Sequence, residues 1–176
     1  MWRLGRSGLV THLGGGWYTH AFARPAVEEL SALLVGPSYV SLETVLSRHG
    51  VTTQRSAFLT CVTLAPTQKL GTPLGEIRYH KVSRDLFWGF DLRRGPSALT
   101  YWEAWPEKAL LDHIYLSRKR GHQVWLDLDF SRLDAGRLGE CAGRFPESVR
   151  QMLKQLRFTR SHPGCAYFSI EAGEDA

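Results

Sequence analysis

The apolar positions alternate with the short period of strands, then with the longer period of helices, and the two patterns exchange several times. Leu9-Val10-Thr11-His12-Leu13 reads as a strand and Trp17-Tyr18-Thr19 as its return. Gly14-Gly15-Gly16 between them tolerates the positive φ of a tight turn. Pro25 opens a helix through Leu34, with Val27, Leu30 and Leu34 on one face and Glu28 and Glu29 in the first turn, where carboxylates suit the helix dipole. Gly36-Pro37 ends it. A short second helix has Ser41 as N-cap and Leu42, Val45, Leu46 and His49 as its apolar face, and Gly50 closes it.

From Arg55 to Tyr101 the period is that of strands: Phe58 to Leu64, Glu76 to Val82 and Leu86 to Leu92, with turns at Gly71–Pro73 and Arg94–Pro96. Pro106 starts a longer helix whose buried stripe is Leu110, Leu111, Ile114 and Tyr115. Arg118-Lys119-Arg120 lies at its negative end, before Gly121. Val124 to Phe130 alternates as a strand, with Leu126, Leu128 and Phe130 on one side. A last helix over Pro146 to Leu156 presents Val149, Met152, Leu153 and Leu156. These elements predict an α+β fold: a hairpin, then a small, mainly antiparallel sheet packed with helices.

Composition changes this picture little. A chain of 176 residues suits one medium domain, or a small module attached to a domain of about 150 residues, and a core that needs no disulfide or metal. The cysteines, Cys61, Cys141 and Cys165, are odd in number and lack metal-type spacing, which predicts reduced, mostly buried thiols. No apolar run is long enough to span a membrane, and Met1 to Val10 does not read as a signal peptide, so the expected location is cytoplasmic. The net charge of +5 permits a polyanionic partner, and the basic excess lies within residues 1–100.

Candidate chemistry is sparse. Asp127 and Asp129, two apart on the expected strand, would face the same way, as a metal-dependent nuclease or nucleotidyltransferase requires. The bland alternative is the solvated face of an edge strand. Glu107 and Lys108 fall in the first turn of a helix, where Glu107 serves the dipole and Lys108 is expected to be solvated. The histidines, His12, His20, His49, His80 and His113 among them, show no paired metal spacing. No Gly-x-Ser-x-Gly elbow and no phosphate-binding loop is present. The expectation is no catalytic residue, no metal and no cofactor. Arg78, Lys81, Arg84, Arg93 and Arg94 form a second basic group, expected to be solvated surface charge.

Two stretches carry a family resemblance. Pro37-Ser38-Tyr39-Val40-Ser41-Leu42-Glu43-Thr44-Val45-Leu46-Ser47-Arg48-His49-Gly50-Val51 is similar to the PSYISLESALSYHGLI segment of AbiEi-type antitoxins. Ala104-Trp105-Pro106-Glu107-Lys108-Ala109-Leu110-Leu111-Asp112 is similar to their ATPEKALLD segment. Gly75 to Tyr79, Phe87-Trp88-Gly89 and the Gly14–Tyr18 turn also resemble that family, over residues 4 to 156.

The resemblance implies an antitoxin and autoregulatory transcriptional repressor of a type IV toxin–antitoxin (abortive infection) operon. Its functional partner would be a nucleotidyltransferase-like toxin, with no stable complex required. It divides the chain into a remnant winged helix (1–22), an antitoxin domain (23–170) and a polar tail (171–176). Met1 to Ser7 would be the end of a recognition helix and the hairpin its wing, so DNA would meet Arg3, Arg6, Thr11, His12, Gly14, Gly15 and Gly16. The family's helix-turn-helix proper has no counterpart ahead of this hairpin, which implies weak operator binding. Trp105 replaces the family's threonine, which could cap the helix. The motif residues Ser38, Tyr39, Ser41, Pro106, Glu107, Lys108 and Asp112 are expected to hold helices in place. A protein-interaction module acting through the sheet is the third possibility.

Overall fold

The computed structural model describes residues 10–20, 23, 25–119, 121 and 127–161, the last four without their side chains. The expected recognition-helix end with Arg3 and Arg6, residues 122–126, Cys165 and the polar tail lie outside the described residues.

The N-terminal hairpin pairs β1 (Val10–Gly14) with β2 (Trp17–His20), antiparallel, and its register shifts between His12 and Gly14. Gly14, Gly15 and Gly16 all have positive φ, which is why three successive glycines stand there. Leu13 is buried and the turn backbone lies against Leu34 at the end of the first helix.

The rest is α+β. A six-stranded sheet has the order β5 (Gln68–Thr72), β6 (Gly75–Lys81), β4 (Leu59–Thr63), β3 (Ser38–Val40), β8 (Thr100–Ala104), β7 (Phe90–Arg94). It is mixed: β3–β4, β5–β6 and β7–β8 are antiparallel, whereas β4–β6 and β3–β8 are parallel. Each half is thus a hairpin whose second strand runs parallel to a central strand. The expectation of a mainly antiparallel sheet holds for the majority of pairings and misses the two parallel joints.

Adjacent residues of the short central strand β3 point to opposite faces. Ser38 donates to Ser31 O of α1 (Val27–Leu34), and Tyr79 of β6 donates to the same carbonyl, so α1 covers that face. Tyr39 reaches α3 (Pro106–Lys119) on the other face. α2 (Leu42–Arg48) packs on α3 and β4, and α4 (Ala135–Gly143) and α5 (Glu147–Ser161) stack over α3. Tyr39, Val40, Val62, Ile77, Leu110, Leu111 and Ile114 are fully buried between these layers.

Several expectations need correction. β3 carries no strand signal of its own, because three residues are too few to alternate. His49 is exposed rather than on the buried face of α2. The run Leu86 to Leu92 is not one strand: Arg84–Leu86 is a 3-10 turn, and Gly89, with positive φ, precedes β7. No strand runs through the described part of Val124 to Phe130; Leu128 makes a single bridge to Thr52 and Phe130–Arg132 is a 3-10 turn. α4 follows Asp134, whose side chain caps it by accepting from Arg137 N at 2.8 Å. Leu138, Cys141 and Ala142 form its buried stripe, and no helix is expected there from the sequence alone.

Candidate functional site

The two motif stretches meet inside the protein. Asp112, on α3, accepts from Tyr39 Oη at 2.9 Å and from Ser41 Oγ at 3.1 Å through Oδ2, and pairs through Oδ1 with Lys108 Nζ. Lys108 also donates to Tyr39 Oη at 3.0 Å. Lys108 and Asp112 are four residues apart on one helix and therefore share a face. All four side chains belong to fully buried residues. The ammonium lies among the rings of Tyr39, Trp88 and Phe145, 5.0 to 5.3 Å from their centroids. Its aliphatic stem runs past Gly89, where an added Cβ would come within 3.0 Å of Lys108 Cγ.

Lys108 is therefore not solvated, contrary to the expectation from its place in a first turn. Ten of the fourteen α3 residues are buried, because sheet, α2, α4 and α5 enclose it on several sides. Ser41 stands at the N-cap position of α2 but makes no side-chain capping bond; its hydroxyl goes to Asp112 instead. Glu107 has a tertiary partner beyond any dipole role: Oε1 accepts from Asp134 N at 2.8 Å, joining the start of α3 to that of α4. Its buried Oε2 has no hydrogen-bond partner among the described residues. Trp105, which cannot cap, instead donates from Nε1 to Asp91 at 2.9 Å.

Burial governs the electrostatics. It pushes the Tyr39 hydroxyl well above its usual pKa, and the adjacent Asp112 carboxylate adds to this. Burial lowers Lys108 and raises Asp112, each shift being opposed by the other's charge. Perturbed titration at a cleft would suggest catalysis. Here the groups are sealed from solvent, so no substrate reaches them and their chemistry is that of a polar lock.

Asp127 and Asp129 are held by different partners. Asp127 accepts from Thr53 Oγ1 at 2.7 Å and from Thr52, and the Thr53 bond draws its pKa down. Asp129 accepts from Ser131 N and Oγ, capping the 3-10 turn. Asp127 thus ties its loop to residues 52–53, and Asp129 braces its own turn, in place of the solvated strand face expected for them. Among the described residues no three His, Cys, Asp or Glu side chains gather as metal ligands would, and no helix is long and apolar enough to cross a membrane. Cys61 and Cys141 are buried free thiols.

On the hairpin, Thr11, His12, Gly15 and Gly16 are exposed and Gly14 is half-buried against Leu34. The basic group on the sheet is split. Arg78 and Lys81 lie on β6 and Arg93 and Arg94 on β7, four strand spacings away, or roughly 19 Å. Arg78 stacks over Phe58 and pairs with Glu76.

Other interactions had no sequence signal. Buried Glu29 accepts from Ala26 N with Oε2, and from Ser97 N, Ser97 Oγ and Leu99 N with Oε1, so α1 holds the β7–β8 turn. Arg48 bridges Glu28 and Glu103 beside an open cleft of about 540 Å³ between α1, α2 and residues 55–59. Apart from the local Ala26–Glu29 bond, these contacts join residues 20 to 70 positions apart, beyond any local pattern. No protein-family model matches this chain, and no curated protein does.

Proposed function

We propose that this chain is a cytoplasmic, non-catalytic antitoxin and operon regulator of the kind its two motif stretches resemble. The observation that supports this reading is the convergence of both stretches on one carboxylate. Tyr39 and Ser41 from the first bond to Asp112 from the second, across 73 and 71 positions, and Lys108 completes the set. Paired motifs whose polar residues form one buried lock make sense as the framework of a single domain. They offer no reacting group to a substrate, and the domain's effect would then come from its surface.

DNA contact in this reading falls to the hairpin, through Thr11, His12 and the Gly14–Gly16 backbone, with Arg3 and Arg6 from the preceding segment. Such contacts reach phosphates, so binding is weak, salt-sensitive and poorly selective. The partner is a nucleotidyltransferase-like toxin that need not form a stable complex.

The test is co-expression of the chain with the toxin-like product of its own operon, beside a salt-titrated gel shift on the upstream DNA. Growth should be restored without co-purification, and the DNA shift should fade as salt rises. Failure to restore growth overturns the antitoxin reading. Tight, sequence-selective binding overturns the account of DNA contact, and stable co-purification favours the interaction-module alternative.

A further inference from the structure

The outer edge of β7 is a self-complementary pairing surface, and we propose that a second copy of this chain docks on it to extend the sheet across a two-fold axis. β7 ends the six-strand order, and no described strand lies beyond it. Its inward bonds are set by two contacts that flank the strand: Gly95 N donates to Leu99 O at 2.8 Å, and Trp105 N donates to Gly89 O at 3.0 Å. In an antiparallel ladder the bonding direction alternates, so Gly89, Asp91, Arg93 and Gly95 bond towards β8. The backbone N–H and C=O groups of Phe90, Leu92 and Arg94 therefore point outwards.

An edge of this kind is a template for another strand, and natural proteins usually blunt it with charge. The charges on β7 do the opposite when it meets itself. Antiparallel pairing centred on Leu92 sets Leu92 against Leu92, Phe90 against Arg94, and Asp91 against Arg93 of the second copy, twice over. All three outward-pointing residues fall in bonded register, and the two charged pairs fall at the closer, non-bonded positions. The same centre joins two exposed apolar side chains from each copy. Leu92 and its cross-strand neighbour Trp102 are 53% and 40% exposed and lie on one face, so the pairing makes a continuous Trp102–Leu92–Leu92–Trp102 strip.

The opposite edge lacks these features. β5 reads Gln68-Lys69-Leu70-Gly71-Thr72, has no acidic residue to meet its lysine, and lies near β1 of the hairpin. Self-pairing is thus specific to β7. Five residues a side bury less than the roughly 1,200 Å² of a standard stable interface, so the dimer is weak and concentration-dependent.

The test is sedimentation equilibrium of the full chain from about 1 µM to about 300 µM, a range that brackets weak self-association, together with two variants that each add one cysteine to the native Cys61, Cys141 and Cys165. The native protein should pass from monomer to dimer, and Leu92→Lys should raise the dissociation constant at least about tenfold by opposing two charges at the axis. Leu92 is exposed, so an unchanged far-ultraviolet circular dichroism spectrum will show that this variant folds. Leu92→Cys should oxidise to a covalent dimer mapped between the two positions 92, whose Cα atoms would be about 5.5 Å apart. Arg94→Cys should not, since its two copies would be separated by about 14 Å along the strands. A monomer throughout the range, a dimer indifferent to Leu92→Lys, or equal crosslinking of the two cysteine variants would overturn the proposal.

Discussion

Lys108 and Asp112, one turn apart on α3, form an ion pair with no solvent exposure of either side chain. Removing two charges from water is expensive, and the pair persists because each partner is bonded further: Asp112 to Tyr39 and Ser41, Lys108 to Tyr39 and three aromatic faces. Breaking the pair from one side should therefore cost far more than removing it altogether. Lys108→Met is expected to lower the unfolding free energy by about 3–5 kcal/mol, because it leaves a buried carboxylate uncompensated. Adding Asp112→Asn should then cost little or recover stability. A double-mutant cycle in urea checks this; strictly additive losses would mean that the two charges do not depend on each other.

Glu29 carries the turn between β7 and β8. Its four hydrogen bonds reach Ala26, Ser97 and Leu99, and the approach is so close that a Cβ at Gly95 would fall 2.2 Å from Glu29 Cδ. Gly95→Ala is expected to destabilise by about 1–3 kcal/mol through overpacking. Glu29→Ala should cost about as much by leaving the amide donors of Ser97 and Leu99 unmet. Hydrogen exchange gives the local readout: the amides of Ser97 and Leu99 should lose protection in the Glu29 variant, while those of β4 keep theirs. Equal loss in both places would show a global effect in place of a turn anchor.

Glu43, in the first turn of α2, gives an acid dependence. Burial alone would raise its pKa, but the hydrogen bond and charge of His113, a backbone bond and the charge of His80 together outweigh it and leave the carboxyl below its ordinary 4.5. A carboxylate whose folded pKa is depressed contributes stability above its unfolded value and loses it as pH falls through the folded one. Stability should thus decline below about pH 4.5. In Glu43→Gln that part of the decline should be missing. Urea midpoints at a series of acidic pH values check it, and identical slopes for the two proteins would exclude the effect.

Most helices of this molecule are legible in the sequence, α4 excepted, whereas its contacts are hidden. Leu110, Leu111 and Ile114 announce α3 by their spacing, and Gly14 to Gly16 announce the hairpin turn. The central strand Ser38–Val40 was invisible as a strand, since its pairing with Thr63, Val62 and Cys61 is a tertiary fact. Lys108 shows the same limit at the site. Its place in a first turn suggested water, and only the packing of Trp88 and Phe145 around it explains a buried ammonium. The motif residues were visible as a set; that four of them form one lock depended on topology.

Two glycines of similar backbone geometry separate conformational strain from close packing. Gly16 and Gly89 have φ of +82° and +77°, a region that costs a residue with a Cβ about 1–2 kcal/mol. At Gly16 an added Cβ would meet nothing within 4 Å, whereas at Gly89 it would lie 3.0 to 3.3 Å from three atoms of the Lys108 stem. Gly16→Ala should therefore show the strain alone, and Gly89→Ala the strain plus a displacement of the ammonium from Asp112. The Gly89 variant should be less stable than the Gly16 variant by at least about 1 kcal/mol, the lower end of typical overpacking costs. Placing Gly89→Ala on a Lys108→Met background should narrow that gap, because the uncharged, unbranched side chain can shift without disturbing a buried pair. Urea unfolding of the four variants beside the native protein measures each term. Equal losses at the two glycines would mean that the approach of Gly89 to Lys108 does not constrain the lock.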